Sequence, residues 1–336
     1  MSTYRGRVRS VRGMFLWGTL IAIVCLAGSF FLGRYPEPYI TPITALWENE
    51  MARNVLLHLR LPRILAAFLL GMTLSAAGAV FQMIFRNPLV EAGLLGVSQG
   101  AAFGASLAIV ALGGRTATIQ ICAALFAFVG LGGSAFLARR IRLGDWVLRL
   151  ILAGIAVSAL YTAGAGFLKY LADPLRQLPD ITFWLLGGLW GITWPDIVQI
   201  VPVVAPCLAI LHLMRWRLNL LAMEDETSFS LTSSAGRERF VMLLAAVAAT
   251  AAVVSKAGQI GWVGLIVPHM ARRVVGSDAQ WTVPISMLFG GCFVLLCDDL
   301  ARTLLTGEIP LGILTSFVGA ALFLILLMRR DIKVRT

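Results

Sequence analysis

The stretch Arg60–Gly100, RLPRILAAFLLGMTLSAAGAVFQMIFRNPLVEAGLLGVSQG, decides the fold class. It opens with Arg60 and Arg63 and continues as an apolar run from Ile64 to Phe85. It then turns at Arg86-Asn87-Pro88-Leu89 and enters a second, glycine-rich apolar run. A helix of about 20 apolar residues spans the hydrocarbon of a bilayer. Pro88 has no amide hydrogen and biases Asn87 away from the helical region, so the first helix is predicted to stop near Arg86. Gly71, Ser75, Ala76, Ala77, Gly78 and Ala79 recur along the span. In lipid, such small residues let helix backbones approach closely, because packing rather than water exclusion holds a bundle together. The segment reads as part of a tightly packed polytopic membrane protein.

Composition agrees. The chain is 59% hydrophobic and 13% charged, where a soluble domain is about 45–50% apolar and about 25% charged. A net charge of +11 can mark a nucleic-acid partner. Here the basic residues recur between apolar runs instead of forming one patch, so membrane lipid is expected and nucleic acid is not. Cys25, Cys122, Cys207, Cys292 and Cys297 all lie inside apolar runs without a CxxC spacing, which indicates neither a disulfide framework nor a metal site. Arg5, Arg7, Arg9 and Arg12 precede the apolar run Met14–Leu32. That run exceeds the roughly 7–15 residues of a signal-peptide core and lacks a convincing cleavage site, so a retained first span is expected.

The whole chain, 1–336, reads as one all-α transmembrane domain with ten candidate spans. They lie near 14–33, 64–85, 92–112, 117–138, 147–168, 195–214, 240–257, 260–275, 281–300 and 310–328. The eighth is short and contains Pro268 and His269. Between the fifth and sixth, Leu171–Gly191 is too short to cross and reads as an interfacial or re-entrant helix with Trp184 and Trp190 at headgroup depth. With the N-terminus inside, 19 of the 28 Lys and Arg residues fall on inner segments, as the positive-inside rule requires. Both termini are therefore expected in the cytoplasm. The longest inner connection, 215–239, carries Glu224, Asp225 and Glu226.

Chemistry of its own is not expected of this chain. None of Lys169, Lys256 and Lys333 follows a glycine, so the sequence contains no phosphate-binding loop. His58, His212 and His269 are scattered without metal-ligand spacing, and no catalytic residues are predicted. Buried charge in a span is costly and defaults to a functional reading. Asp298 and Arg302, spaced i, i+4, are the main such pair, and a structural ion pair is the competing explanation. The otherwise charge-poor spans count against an ion-gradient-driven secondary transporter, which stays as an alternative. A receptor or scaffold that moves nothing is a third class.

Several segments together resemble the FecCD-type permeases, membrane subunits of ABC importers for iron–siderophore complexes, haem and vitamin B12. They are Arg60-Leu-Pro-Arg63, Ala77-Gly78 with Gln82, Arg86-Asn-Pro-Leu89 running into Gly93-Leu-Leu-Gly96, and Leu152-Ala-Gly154. Trp184-Leu-Leu-Gly-Gly188, the block Gly258–Arg272, Asp298 with Arg302, and Glu308-Ile-Pro310-Leu-Gly312 with Gly319 follow in the family's order.

The resemblance implies the type II importer permease fold in a bacterial or archaeal cytoplasmic membrane. It also implies pairing with a second permease subunit as a homodimer. Two ATP-binding cassette subunits would dock on the 215–239 loop through Glu224, Asp225, Glu226 and Ser230. ATP and magnesium would be used by those partners, and no cofactor would be bound by this chain. A periplasmic or lipid-anchored substrate-binding protein would dock outside on Arg60, Arg63 and Arg302. Asn87 and Leu89 would form a cytoplasmic gate. Gly154, Ser158, Ala163 and Gly164 on the fifth span would line the pathway. The implied cargo is a ferric siderophore first, then haem or cobalamin, with molybdate carried by relatives of the fold. Two departures stand out. The family's LGD-x-x-A-x-x-LG coupling pattern is replaced by Met223–Thr232, and Val90-Glu91-Ala92 lacks the proline that often follows the acid.

Overall fold

The computed structural model describes residues 2–35, 39–42, 44, 47, 49–223 and 235–328, with the side chains of residues 2–12 and 39 left aside. Among the described residues the chain folds into twelve helices and a two-residue antiparallel ribbon, β1 (Leu32–Gly33) against β2 (Tyr39–Ile40). The helices are α1 (Ser2–Phe31), α2 (Glu50–Ile84), α3 (Val97–Ala111), α4 (Thr116–Arg140), α5 (Trp146–Leu171) and α6 (Gln177–Leu186). They continue with α7 (Trp194–Leu213), α8 (Arg215–Leu221), α9 (Ala235–Ala257), α10 (Val263–Val275), α11 (Ala279–Thr303) and α12 (Leu311–Met328). Eight of them are long and apolar enough to cross a membrane, and the shorter α3 and α10 occupy the third and eighth predicted spans. α6 is the short helix expected between spans five and six.

α2 is the axis of the bundle. It packs against α11, α10 and α9, and 78% of its most apolar window is buried, against 72% for α11 and 67% for α9. For α1, α4, α5, α7 and α12 the share is below a third. Small residues account for the close centre. A methyl group on Gly71 would run into the Gly290 carbonyl of α11, and one on Gly78 into the Gly264 carbonyl of α10. Ser75 donates to the Ser286 carbonyl at 2.7 Å between the same helices.

Two features of α2 were not foreseen. It begins at Glu50 rather than Ile64, because residues Val55–Arg60 form a π-helical turn that joins a short N-terminal helix to the main span. Within it Leu61 N–H reaches back to the Leu56 carbonyl. That wider ladder leads into Pro62, which has no N–H to contribute. At the other end α2 stops where expected. Arg86 N–H bonds the Met83 carbonyl (3.2 Å) and Asn87 N–H the Gln82 carbonyl (3.1 Å), with Arg86 at φ 50°. This is a Schellman cap with arginine in the position that glycine usually fills.

The inner connection also differs from a simple loop. Its first part is α8, and α9 starts at Ala235, so both flanks are helical. Asn219 of α8 donates to Asp278 (2.7 Å) and accepts from Ala279 N–H (2.9 Å). Arg239 of α9 donates to the Leu221 carbonyl at 3.0 Å. The base of the connection is thus fastened to the start of α11.

Candidate functional site

At one end of the bundle the three arginines assigned to binding-protein docking turn inward. Arg63 grips the wholly buried Asp298 (2.9 Å) and, with its other nitrogen, Glu308 (2.8 Å). Arg302 pairs mainly with Asp299, one residue beyond the predicted partner, and its Nε lies 3.7 Å from Asp298. It also donates to the carbonyls of Ser29 and Leu32, both at 2.9 Å. Arg60 donates to Thr41 Oγ1 and the Tyr35 carbonyl, each at 2.7 Å. Arg60 and Arg302 are buried. Whatever meets this end from outside, these guanidiniums tie α1 and its ribbon to α2 and α11. The pairing was invisible locally because Arg63 and Asp298 lie 235 positions apart.

At the opposite end sits the turn after α2. Asn87 Oδ1 accepts the Leu89 N–H at 2.9 Å, an Asx-type turn that holds Leu89 outward, and Leu89 is exposed. Arg86 makes a loose pair with Asp145 at 3.4 Å, both side chains part-exposed. Pro88 and Asn87 border a groove of about 360 Å³, together with Arg272, Asn219 and Ala222. The groove thus lies beside the inner connection. Glu224, Asp225, Glu226 and Ser230 lie outside the described residues.

Between the two ends, three interruptions of helix converge. α6 ends at Gly187, α9 gives way to α10 at Gly258, and α12 begins just before Gly312. A methyl on Gly187 would strike the Gln259 carbonyl, one on Gly258 the Trp184 carbonyl, and one on Gly312 the Leu186 carbonyl. Gly187 and Gly258 also have positive φ, near 70°, which only glycine adopts without strain. Two concavities of about 400 Å³ each run along α12 and share Gly261 and Ser316. One reaches Leu89 of the turn, and the other reaches Leu185 and Leu186 of α6. They give a continuous wall from the turn to the short helix.

The predicted lining of α5 divides instead. Gly154 packs under the Leu94 carbonyl and Gly164 against the Phe103 ring. Ser158 donates to the Gly93 carbonyl at 3.0 Å, and Ala163 alone of the four is exposed. Gly154 and Gly164 therefore serve close packing. Ser316 and Gly261 border the concavities without having been singled out as lining residues.

Gln82 was quoted for its place in a motif, with no role attached. Its Nε2 donates to the Gly264 and Leu265 carbonyls, both at 3.1 Å, while Arg272 donates to its Oε1. Pro268 explains the need. It cannot supply the N–H that would normally satisfy Gly264, four residues back. In lipid an orphan carbonyl is expensive, and Gln82 reaches across from α2 to fill the gap.

Comparison with known proteins agrees with this architecture. A permease of the molybdate import system of Haemophilus influenzae, MolB, is 36% identical over 322 residues, covering 93% of this chain and 94% of that protein. A probable iron chelatin transport system permease of Helicobacter pylori is 40% identical over 317 residues, covering 92% and 95%. Other relatives are named as hemin, cobalamin and iron(3+)-hydroxamate permeases. A solved structure described as an inward-facing conformation of a metal-chelate type ABC transporter superposes with a TM-score of 0.85 at 36% identity, covering 94% of this chain and 99% of the other. The FecCD transport family matches residues 20–329. This multi-pass chain belongs to the FecCD transport family and is a permease subunit of an ABC importer of that type.

Proposed function

We propose that this subunit carries a ferric chelate of the siderophore class across the membrane by ATP-driven alternating access, as half of a homodimer. The observation that carries the reading is the wall of concavities along α12, which begins at Leu89 and ends at α6. α12, which borders both concavities, is itself largely uncovered. A second copy would close that side into a passage, with Asn87 and Leu89 of each chain at its inner mouth. The end bearing Arg60, Arg63 and Arg302 faces outward in this reading, and both termini face the cytoplasm. Glu308, part-exposed beside Arg63, then stands at the binding-protein surface. The two ATPase subunits sit on the 215–239 connection, and the groove bordered by Arg272 and Asn219 belongs to their seat. Iron chelates lead because several relatives bear such names. Molybdate is the second reading, favoured by the likeness to MolB over nearly the whole chain.

Reconstitution in liposomes with a partner ATPase and a substrate-binding protein tests both. Uptake of a radioactive ferric hydroxamate that requires ATP is expected. Molybdate uptake with no chelate uptake would favour the second reading. Uptake by the chain alone, driven by an ion gradient, would overturn the importer mechanism.

A further inference from the structure

The turn after α2 and the break between α9 and α10 enclose a cavity of about 150 Å³. It is lined by Glu91, Ser98, Gln99, Thr250, Gln259 and Gly261, among others. Gln259 Nε2 donates to the Ser98 carbonyl at 2.9 Å, but two other polar groups of the lining are left open. Thr250 is completely buried, yet its hydroxyl has no hydrogen-bond partner. Elsewhere Thr73, Ser106, Thr162 and Thr182 each donate to the carbonyl four residues back. Gln99 Oε1 is likewise buried and unpartnered.

Glu91 is the acid of the site. Burial raises its carboxyl above the usual range, and among the described residues no lysine, arginine or histidine lines the cavity. The groups facing it from α2, α3, α9 and α10 are Leu74, Ser98, Gln99, Thr250 and Gly264, none of them titratable. Glu91 Oε1 and Gln99 Oε1 lie 3.6 and 3.8 Å from the place a side chain on Gly93 would occupy, so both oxygens border the same small space.

We propose that this cavity binds one monovalent metal cation of the sodium class, held by the Glu91 carboxylate, Gln99 Oε1 and Thr250 Oγ1. Glu91 is only partly exposed, also borders the concavity that reaches Leu89, and has no basic side chain in the cavity lining, so a compensating cation is favoured beside its carboxylate. Oxygen donors suit a hard cation, and calcium would demand about 6–8 oxygens, usually with several carboxylates. The cavity far exceeds the roughly 10–15 Å³ that one water requires, so waters can complete the shell. Unwound segments between half-helices supply such donors in other membrane folds. Because Glu91 follows Leu89 by two residues, the bound ion fastens the turn to the α9–α10 break. Its occupancy is independent of which cargo the subunit moves.

The test uses the purified full-length chain in lipid nanodiscs, buffered with choline chloride. Saturable binding of ²²Na⁺, or of ⁸⁶Rb⁺ in its place, at about one per chain is expected. NaCl should raise the unfolding temperature above that in choline chloride of equal ionic strength. Glu91→Gln should abolish the binding, and Thr250→Val should weaken it about tenfold. No saturable binding of either isotope overturns the proposal. So does binding unchanged in Glu91→Gln, or an unfolding temperature that follows pH but no cation, which would give Glu91 a proton instead. Should Glu91→Gln fail to fold, Thr250→Val and the wild-type isotope measurement still decide.

Discussion

The two ends of this bundle carry similar charges and use them in opposite ways. At the end built on Arg63, the guanidiniums of Arg60, Arg63 and Arg302 each reach a carboxylate or carbonyl inside the protein, and Asp298, Asp299 and Arg302 are all buried. At the end built on Arg86, the ion pair that Arg86 makes with Asp145 is loose, 3.4 Å long and part-exposed, and Leu89 is exposed. What separates them is the partner, not the residue type. A buried pair leaves an uncompensated charge when one member is lost, whereas an exposed pair is replaced by water. By this measure the first end is the harder to rearrange, and the second is the end where the gate is proposed.

Arg63→Ala gives the largest effect that follows from this contrast. It strips the close partner from Asp298, leaving only Arg302 at 3.7 Å. Breaking a buried pair costs about 3–5 kcal/mol, and thermal unfolding in nanodiscs should show a loss near the low end of that range. Arg63→Glu should be worse, since it sets like charges together. A docking defect in either variant is therefore evidence about the binding-protein surface only when the variant is shown to be folded. Stability equal to wild type would mean the cluster is solvated, and the contrast between the ends would fail.

Gln82→Leu comes next. It orphans the Gly264 carbonyl and removes the acceptor of the Arg272 guanidinium together, for roughly 1–3 kcal/mol. Its unfolding midpoint should fall clearly, while Met83→Leu, one position on, should leave it within about 1 kcal/mol as a volume-conserving swap. Equal effects from the two would remove the bridging role given to Gln82.

These two residues also mark how far the sequence could be read. The spans were legible because bilayer thickness fixes the length of an apolar run, and Pro88 told where α2 ends. The convergence of α6, the α9–α10 break and α12 was foreshadowed by Gly187, Gly258 and Gly312, which sat in quoted motifs. What neighbours do across 180 or more positions was not legible. Nothing near Arg63 announces Asp298, and nothing near Gln82 announces Gly264, although Pro268 signals that some donor is wanted. The π-helical turn was missed because Pro62 and the arginines around it read as a boundary. The Glu91 cavity was missed because one acid in a turn looks like any solvated acid until the α9 helix is laid over it.

Smaller effects test the loose end. Asn87→Ala removes the side-chain acceptor of the Leu89 N–H and should cost about 1 kcal/mol of stability. Its larger consequence should be in transport: with Leu89 no longer held outward, ATP hydrolysis by the reconstituted complex should persist without a matching rate of uptake. Tight coupling in this variant would take Asn87 out of the gate.

The smallest change predicted is at Arg86, and it is the most discriminating. Arg86→Ala loses only the exposed pair with Asp145, worth about 0.2–1 kcal/mol. Yet Arg86 sits at φ 50°, a conformation that penalises any residue with a Cβ by roughly 1–2 kcal/mol. Arg86→Gly loses the same pair but relieves that strain, at the expense of a more flexible unfolded chain. The glycine variant should therefore be at least as stable as the alanine variant, and Arg86→Val, branched at Cβ, clearly less stable than both. If all three unfold together, the turn relaxes freely out of its cap, and the gate end is more mobile than its hydrogen bonds suggest. If valine alone fails, the Schellman cap is a fixed hinge, and the movement of the gate is confined to the residues beyond Pro88.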